Sequence, residues 1–260
     1  MSNFTQLRQT PLATLQPVDA ALENPDLVAH ISHQILSSAA KAQAIANILD
    51  SDLFSEELQP KLSQTLSLLV RDLERLGRKL IYLQKSPEPE ILSAGEIVDL
   101  IGLIDETANP FQWQYPNRPL VKRYLSDFPP IRANKEHVQI ILDNLLSNAF
   151  KYSSPQTAVT ITAEAYQGLL EKSSGEVIIS VTNRGSFIPF EEREKIFKKF
   201  YRGNIPGQPG QGLGLYLSRR LVHLYGGQLE VESSPDEGTT FWFTLPLSGS
   251  QNTNGFSYGG

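Results

Sequence analysis

Seven leucines, Leu62, Leu66, Leu69, Leu73, Leu76, Leu80 and Leu83, keep a strict four-three alternation through the stretch KLSQTLSLLVRDLERLGRKLIYLQK. That spacing lays one continuous apolar stripe along an α-helix, and a stripe so narrow is normally covered by other helices. Upstream, Val28, Ile31, Ile35, Ser38, Ala42, Ile45 and Leu49 step by three and four over residues 25–50, and the stretch DSDLFSEELQP breaks the pattern between the two. A single hairpin of such helices leaves much of both stripes open to water. Two copies packed as a four-helix bundle close them, so the spacing predicts a homodimer. The alternative is that both stripes pack on the remainder of the same chain.

That remainder is long enough for a second module, since the chain has 260 residues. The net charge of −5 and the absence of any Lys/Arg block argue against a nucleic-acid partner. With no cysteine, disulfides and thiolate metal sites are excluded, and a reducing cytoplasm fits. No apolar run approaches the ~20 residues that cross a bilayer, and no signal-peptide pattern opens the chain.

The pattern changes at SPEPE, residues 86–90, a proline-rich hinge. Four regions are expected: a leader over 1–24, the hairpin over 25–85, an α/β module over 91–247, and a polar, glycine-rich tail over 248–260. Within the module, 94–109 read as a helix and 111–128 as two short strands. Residues 134–153 form a strong amphipathic helix with Asn134 as its N-cap. Strands are expected near 157–166 and 175–182, helices near 190–199 and 212–225, and a hairpin over 227–246. This order predicts an α/β sandwich, a mixed sheet covered on one face by helices.

Three stretches of the module carry chemistry. In LDNLLSNAFKY, Asn144 and Asn148 lie four apart on one helix face, with Lys151 and Tyr152 one turn further on. Two asparagines in mid-helix are unfavourable because the amide competes for backbone hydrogen bonds. Amide oxygens can complete the shell of a Mg²⁺ that keeps most of its waters, and a lysine can hold a phosphate; a solvated polar face explains the pattern equally well. In VTNRGSFIP, a strand runs into Asn183 and Gly185, where an amide can accept from an adenine amino group, or where the chain simply turns. In GQGLGLYLSRRLVHLYGG, Gly210, Gly212 and Gly214 precede and open a helix, leaving backbone N–H groups for phosphate.

Together these stretches, with IFKKFYRG at 196–203, make residues 91–246 resemble the ATP-binding domain of sensor histidine kinases, the fold shared with DNA gyrase and mismatch-repair ATPases. The resemblance implies ATP and Mg²⁺ as cofactors. It makes Asn148 the Mg²⁺ ligand with Asn144 beside it, Lys151 a phosphate contact, and Tyr152 a neighbour of adenine. It further implies nucleotide contacts at Asn183, Gly185, Arg202, Gly210, Gly212, Leu213, Gly214, Leu215 and Thr240, with a short mobile lid at GNIPGQP. Asn183 stands where the family usually has Asp, and Phe187 replaces the second glycine of its box. ATP-hydrolysing relatives carry a Glu where this chain has Asn144, which cannot accept a proton from water. The site therefore suits delivery of the γ-phosphoryl group to something other than water.

The same resemblance extends to the hairpin, where the family presents a phospho-accepting histidine on the first helix. SHQILSS aligns His33 with that acceptor. Gln34 stands in place of the acidic neighbour, Leu36 replaces a basic residue, and Ala39 replaces a proline. Ser37 occupies the position tied in the family to dephosphorylating the partner. The expected activity is that of a sensor histidine kinase passing phosphate from Mg-ATP to His33 and on to an Asp of a response regulator. Its input would arrive through the leader, an upstream sensor protein or a region outside this chain. Two alternatives remain open: an ATP-binding scaffold that makes no phosphohistidine, and a serine/threonine kinase of the anti-sigma type.

Overall fold

A computed structural model describes residues 25–49, 51, 55, 58–84, 96–125, 131–166, 175–203 and 212–247. The leader, the 86–90 hinge, the 248–260 tail and Gly210 lie outside the described residues, as does the segment 204–211.

The two periodic stretches are helices, α1 (Pro25–Leu49) and α2 (Gln59–Gln84), packed against each other. The module follows: β1 (Glu96–Val98), α3 (Leu100–Gln114), β2 (Leu120–Tyr124), β3 (Ile131–Ala133), α4 (Lys135–Tyr152), β4 (Val159–Tyr166) and β5 (Glu176–Asn183). Two single-turn 3₁₀ elements, Phe190–Glu192 and Lys195–Phe197, precede α5 (Gly214–Leu224), and β6 (Leu229–Ser234) and β7 (Gly238–Pro246) complete it. The main sheet has the order β2-β4-β5-β7-β6, with β2 parallel to β4 and the other neighbours antiparallel. β1 and β3 make a separate antiparallel pair.

The core lies between the sheet and α4. From the helix come Ile141, Leu142, Leu145, Leu146 and Phe150, and from the sheet come Val159, Ile161, Val177, Ile179, Val181 and Phe243, all buried. The start of α4 matches the sequence: Asn134 Oδ1 accepts from the Glu136 and His137 N–H groups, satisfying two of the donors a helix start leaves open.

Three elements differ from the sequence expectation, the first being the helix expected from residue 94, which starts only at Leu100 because residues 96–98 form β1 paired with β3. α3 runs past Pro110 to Gln114, so the region 111–128 holds one main-sheet strand instead of two. Proline removes one backbone donor, but Phe111 stacks on Phe150 with ring centroids 5.4 Å apart, and Tyr115 stacks on the same ring at 4.9 Å. Burial of that last turn outweighs the lost hydrogen bond. The helix expected at 190–199 is only the two 3₁₀ turns, because Lys198 and Phe200 leave helical geometry, the latter with φ of 66°.

Helix α2 also docks on the module. Leu76 packs with Leu213 at the start of α5, joined by Leu80, Phe200 and Tyr216. Polar contacts extend the interface: Arg75 donates to Ser147 Oγ at 3.1 Å, and Tyr82 donates to Glu136 Oε2 at 3.1 Å. The heptad thus splits its leucines, with Leu76 covered by the module and Leu69 buried while Leu66 and Leu73 stay open. No helix among the described residues is long and apolar enough to cross a membrane.

Candidate functional site

The C-terminal half of α4, the end of β5 and the start of α5 meet at one place, and the contacts between them are backbone-close. Asn144 Nδ2 donates to Gly214 O and to Ser218 Oγ, each at 3.1 Å, tying α4 to the first turn of α5. Any side chain at position 214 would crowd this strut, since a Cβ there would lie 3.2 Å from Asn144 Oδ1. Asn144 is buried, and its Oδ1 has no hydrogen-bond partner among the described residues. Its position makes it a brace between helices, with one acceptor left over.

One turn on, Asn148 is half-buried on the same helix. Lys151 Nζ lies 3.0 Å from the Tyr152 hydroxyl and 4.6 Å from its ring centroid, so the two residues expected at the nucleotide form a pair with each other. Gly185 has a structural reason distinct from approach to a ring. A Cβ there would meet Tyr152 O at 2.0 Å, because the loop after β5 lies directly on the end of α4 through the Ser153–Gly185 bridge.

The start of α5 is shaped for an anion. Its N-cap residue, Leu213, makes no side-chain capping bond and its first turn has no acidic residue, so among the described residues no side chain compensates the first N–H groups or the positive end of the helix dipole. The Leu213 side chain is buried against Leu76, and Leu215 packs on the main core. Only the backbone of these two leucines is left for a ligand. Gly212 holds φ of 63°, and Phe200 N–H donates to its carbonyl at 2.9 Å. A Cβ at 212 would lie 2.5 Å from Tyr201 O, which excludes other residues there. Nearby, burial and the Arg220 guanidinium hold the Lys199 ammonium below its usual range. Arg202 is exposed on the approach to 204–211.

Asn183 is the least expected of the buried groups. Along β5 the buried residues alternate, Val177, Ile179, Val181, Asn183, so its amide sits on the helix-facing side of the sheet where three hydrophobic residues precede it. It is only 2% exposed, yet its Nδ2 has no hydrogen-bond partner among the described residues. An unpaired buried amide costs ~1–3 kcal/mol, a cost that a ligand hydrogen bond would remove.

The alternation also corrects one assignment. Thr240 lies on the opposite face of β7, where its Oγ1 is 2.9 Å from Thr182 Oγ1. The residue beside Asn183 is Thr239, buried and directly paired with it in register. Its Oγ1 lies 2.6 Å from Ser233 Oγ and donates to Ser186 O at 3.3 Å. The sequence signal for Thr239 was present in the period of two: it shares the parity of the buried Phe241 and Phe243.

On the hairpin, His33 and Gln34 lie within α1, but their side chains are outside the described residues. Ser37 is half-buried on the same helix. The buried histidine of the structure is a different one. His137 Nδ1 lies 2.8 Å from the Tyr225 hydroxyl, and Tyr82 of α2 meets its ring edge-on at 4.9 Å.

Residues 133–249 match the family of histidine kinase-, DNA gyrase B- and HSP90-like ATPases. The adaptive-response sensory kinase SasA of Synechocystis sp. is 27% identical over 230 residues, covering 85% of this chain and 58% of that protein. The heme sensor protein HssS of Staphylococcus haemolyticus is 27% identical over 243 residues, covering 94% of this chain and 50% of its own length. The chain thus spans about half the length of the curated relatives it matches. Among solved structures, the catalytic domain of the histidine kinase ThkA aligns with 59% of this chain and 95% of that one, at 26% identity and a TM-score of 0.51. The start of α5 and the buried amide of Asn183 thus both lie within residues 133–249, the part of the chain that is similar to the histidine kinase-, DNA gyrase B- and HSP90-like ATPases.

Proposed function

We propose that the chain is the catalytic core of a cytoplasmic two-component sensor histidine kinase, working as a homodimer through α1 and α2. It transfers the γ-phosphoryl group of Mg-ATP to His33, and from there to an Asp on the receiver domain of a response regulator. The observation that carries the reading is the amide at 144. A carboxylate there could activate water, whereas Asn144 cannot, and its side chain is committed to α5. A bound triphosphate would rest on the free N–H groups of α5, with Lys151 and Asn148 toward the phosphates. Among the described residues no three His, Cys, Asp or Glu side chains group to hold a metal. A Mg²⁺ here takes its ligands from phosphate and water oxygens plus the Asn148 amide, in keeping with that ion's habit.

Incubation with Mg-ATP is expected to leave acid-labile, base-stable phosphate on the protein. His33→Ala should lose that label and retain nucleotide binding, while Asn148→Ala should lose both. Gln34→Glu restores a carboxylate beside the acceptor and should accelerate labelling about tenfold, a modest demand on one such group. A second reading, an ATP-binding scaffold acting on a response regulator, is favoured by the residues around His33, where Gln34 and Ala39 replace the expected types. Nucleotide binding with no phosphohistidine in wild type or Gln34→Glu would select the scaffold.

A further inference from the structure

Asn183 is an amide where a nucleotide base would be read, and an amide differs from a carboxylate in offering a donor as well as an acceptor. Its Nδ2 is a buried donor with no hydrogen-bond partner among the described residues. The polar side chains around it are committed elsewhere. Thr239 bonds with Ser233 and Ser186, and Ser153 Oγ donates to Ala149 O at 2.5 Å. The amide also sits beneath the end of α4, where the chain after β5 bridges Ser153 to Gly185. The open donor therefore lies on the helix-facing side of β5, at the end of the strand next to the last turn of α4.

Purines present two kinds of edge at that depth. Adenine offers an amino donor at position six and an acceptor at ring nitrogen one. Guanine and hypoxanthine offer the reverse, an oxygen acceptor at position six and an N–H at ring nitrogen one. A carboxylate can only accept, so opposite position six it pairs with the amino group of the first edge and opposes the oxygen of the second. An amide pairs with either edge by turning over about its last side-chain bond, with donor and acceptor exchanging places.

We propose that Asn183 makes this site tolerant at position six of the purine, so that 6-oxopurine nucleotides, of the inosine and guanosine class, occupy it alongside adenine nucleotides. The proposal rests on the nucleotide-site reading and specifies its substrate class. Phe187, half-exposed in the loop that follows, faces no such choice and leaves the 2-amino group of guanine as a separate question.

The test uses the full chain with Mg²⁺ and three diphosphates that cannot be turned over, ADP, IDP and GDP, titrated by calorimetry at a pH well above the carboxylate range. Wild type is expected to bind IDP within about tenfold of ADP, because either edge finds both its partners and neither leaves a buried group unpaired. Asn183→Asp should keep ADP binding and weaken IDP by at least about tenfold, since two acceptors then face each other. GDP weaker than IDP, with IDP still close to ADP, supports the position-six reading and adds exclusion of the 2-amino group. IDP more than about tenfold weaker than ADP on wild type overturns the proposal while leaving the nucleotide site intact. An unchanged ADP:IDP ratio in a folded Asn183→Asp overturns it as well. Absence of ADP binding to wild type overturns the nucleotide site itself. Should Asn183→Asp fail to fold, the wild-type ratio alone decides.

Discussion

Leu146 of α4 and Leu73 of α2 are the same residue on helices with similar apolar spacing. Leu146 is 0% exposed, enclosed by the sheet of its own chain, while Leu73 is 38% exposed and Leu66, two turns earlier, 43%, although Leu69 between them is buried. The ATP-binding module completes its core within one chain. The hairpin does not: Ile35, Leu49, Leu66, Val70, Leu73 and Ile81 all remain open, a row of aliphatic surface that an isolated soluble protein rarely keeps. What separates the two regions is the presence of a covering layer, since both helices have the apolar stripe.

Three experiments break or sharpen that contrast. The largest effect is expected from aspartate at both Leu66 and Leu73. On a lone hairpin these positions are open and the change is mild, but inside a bundle of two chains each unpaired buried charge costs ~3–5 kcal/mol. Sedimentation should find wild type dimeric and the double variant monomeric, with the module still binding nucleotide. A wild-type monomer at micromolar concentration would remove the bundle.

On the other side of the contrast, Leu146→Ala leaves a cavity in a finished core and should lower unfolding free energy by ~2–5 kcal/mol in urea titration. Leu73→Ala, measured on the monomeric background, should cost far less. Equal losses would mean that α2 is as enclosed as α4.

The smallest effect concerns the joint between the regions. Burial pushes the His137 imidazole down to about 4 from its usual 6.5, with Glu136 opposing. The unfolded chain then binds a proton that the folded chain refuses. This contribution to stability is complete above about 6.5 and is lost as the pH falls from 6.5 toward 4. His137→Gln retains an acceptor for the Tyr225 hydroxyl and should flatten that part of the melting-temperature profile. An identical profile in both proteins would mean that His137 does not titrate in that window.

Helix α4 was legible in its cap and its buried leucines, which lie where periodicity and N-cap chemistry put them, whereas the burial of Asn144 against α5 was not. The heptad of α2 was legible as a stripe but not as an interface. Spacing says which face is apolar and is silent on what covers it, so Leu76 against Leu213 could not be foreseen. Past Pro110, local propensity pointed to strands, and stacking on Phe150 from a distant part of the chain overrode it. Asn183 at the end of β5 and the glycine-led start of α5 stand where local rules of strand ends and helix starts put them, and their roles toward a nucleotide belong to the proposed function. Thr239 was missed for Thr240 because a shift of one residue along a strand exchanges the two faces of the sheet.

The bond from Phe200 N–H to the Gly212 carbonyl has one more consequence. It fixes the two ends of the chain on either side of residues 204–211 at a set separation, whatever number of residues joins them. The entropy lost in closing such a segment rises only with the logarithm of its length, so doubling it costs ~0.6 kcal/mol. Insertions or deletions between Phe200 and Gly212 that keep this bond are therefore expected to be close to neutral for the fold. The number of residues joining the two paired ends is then free to change across descendants of this sequence while the bond between Phe200 and Gly212 stays fixed.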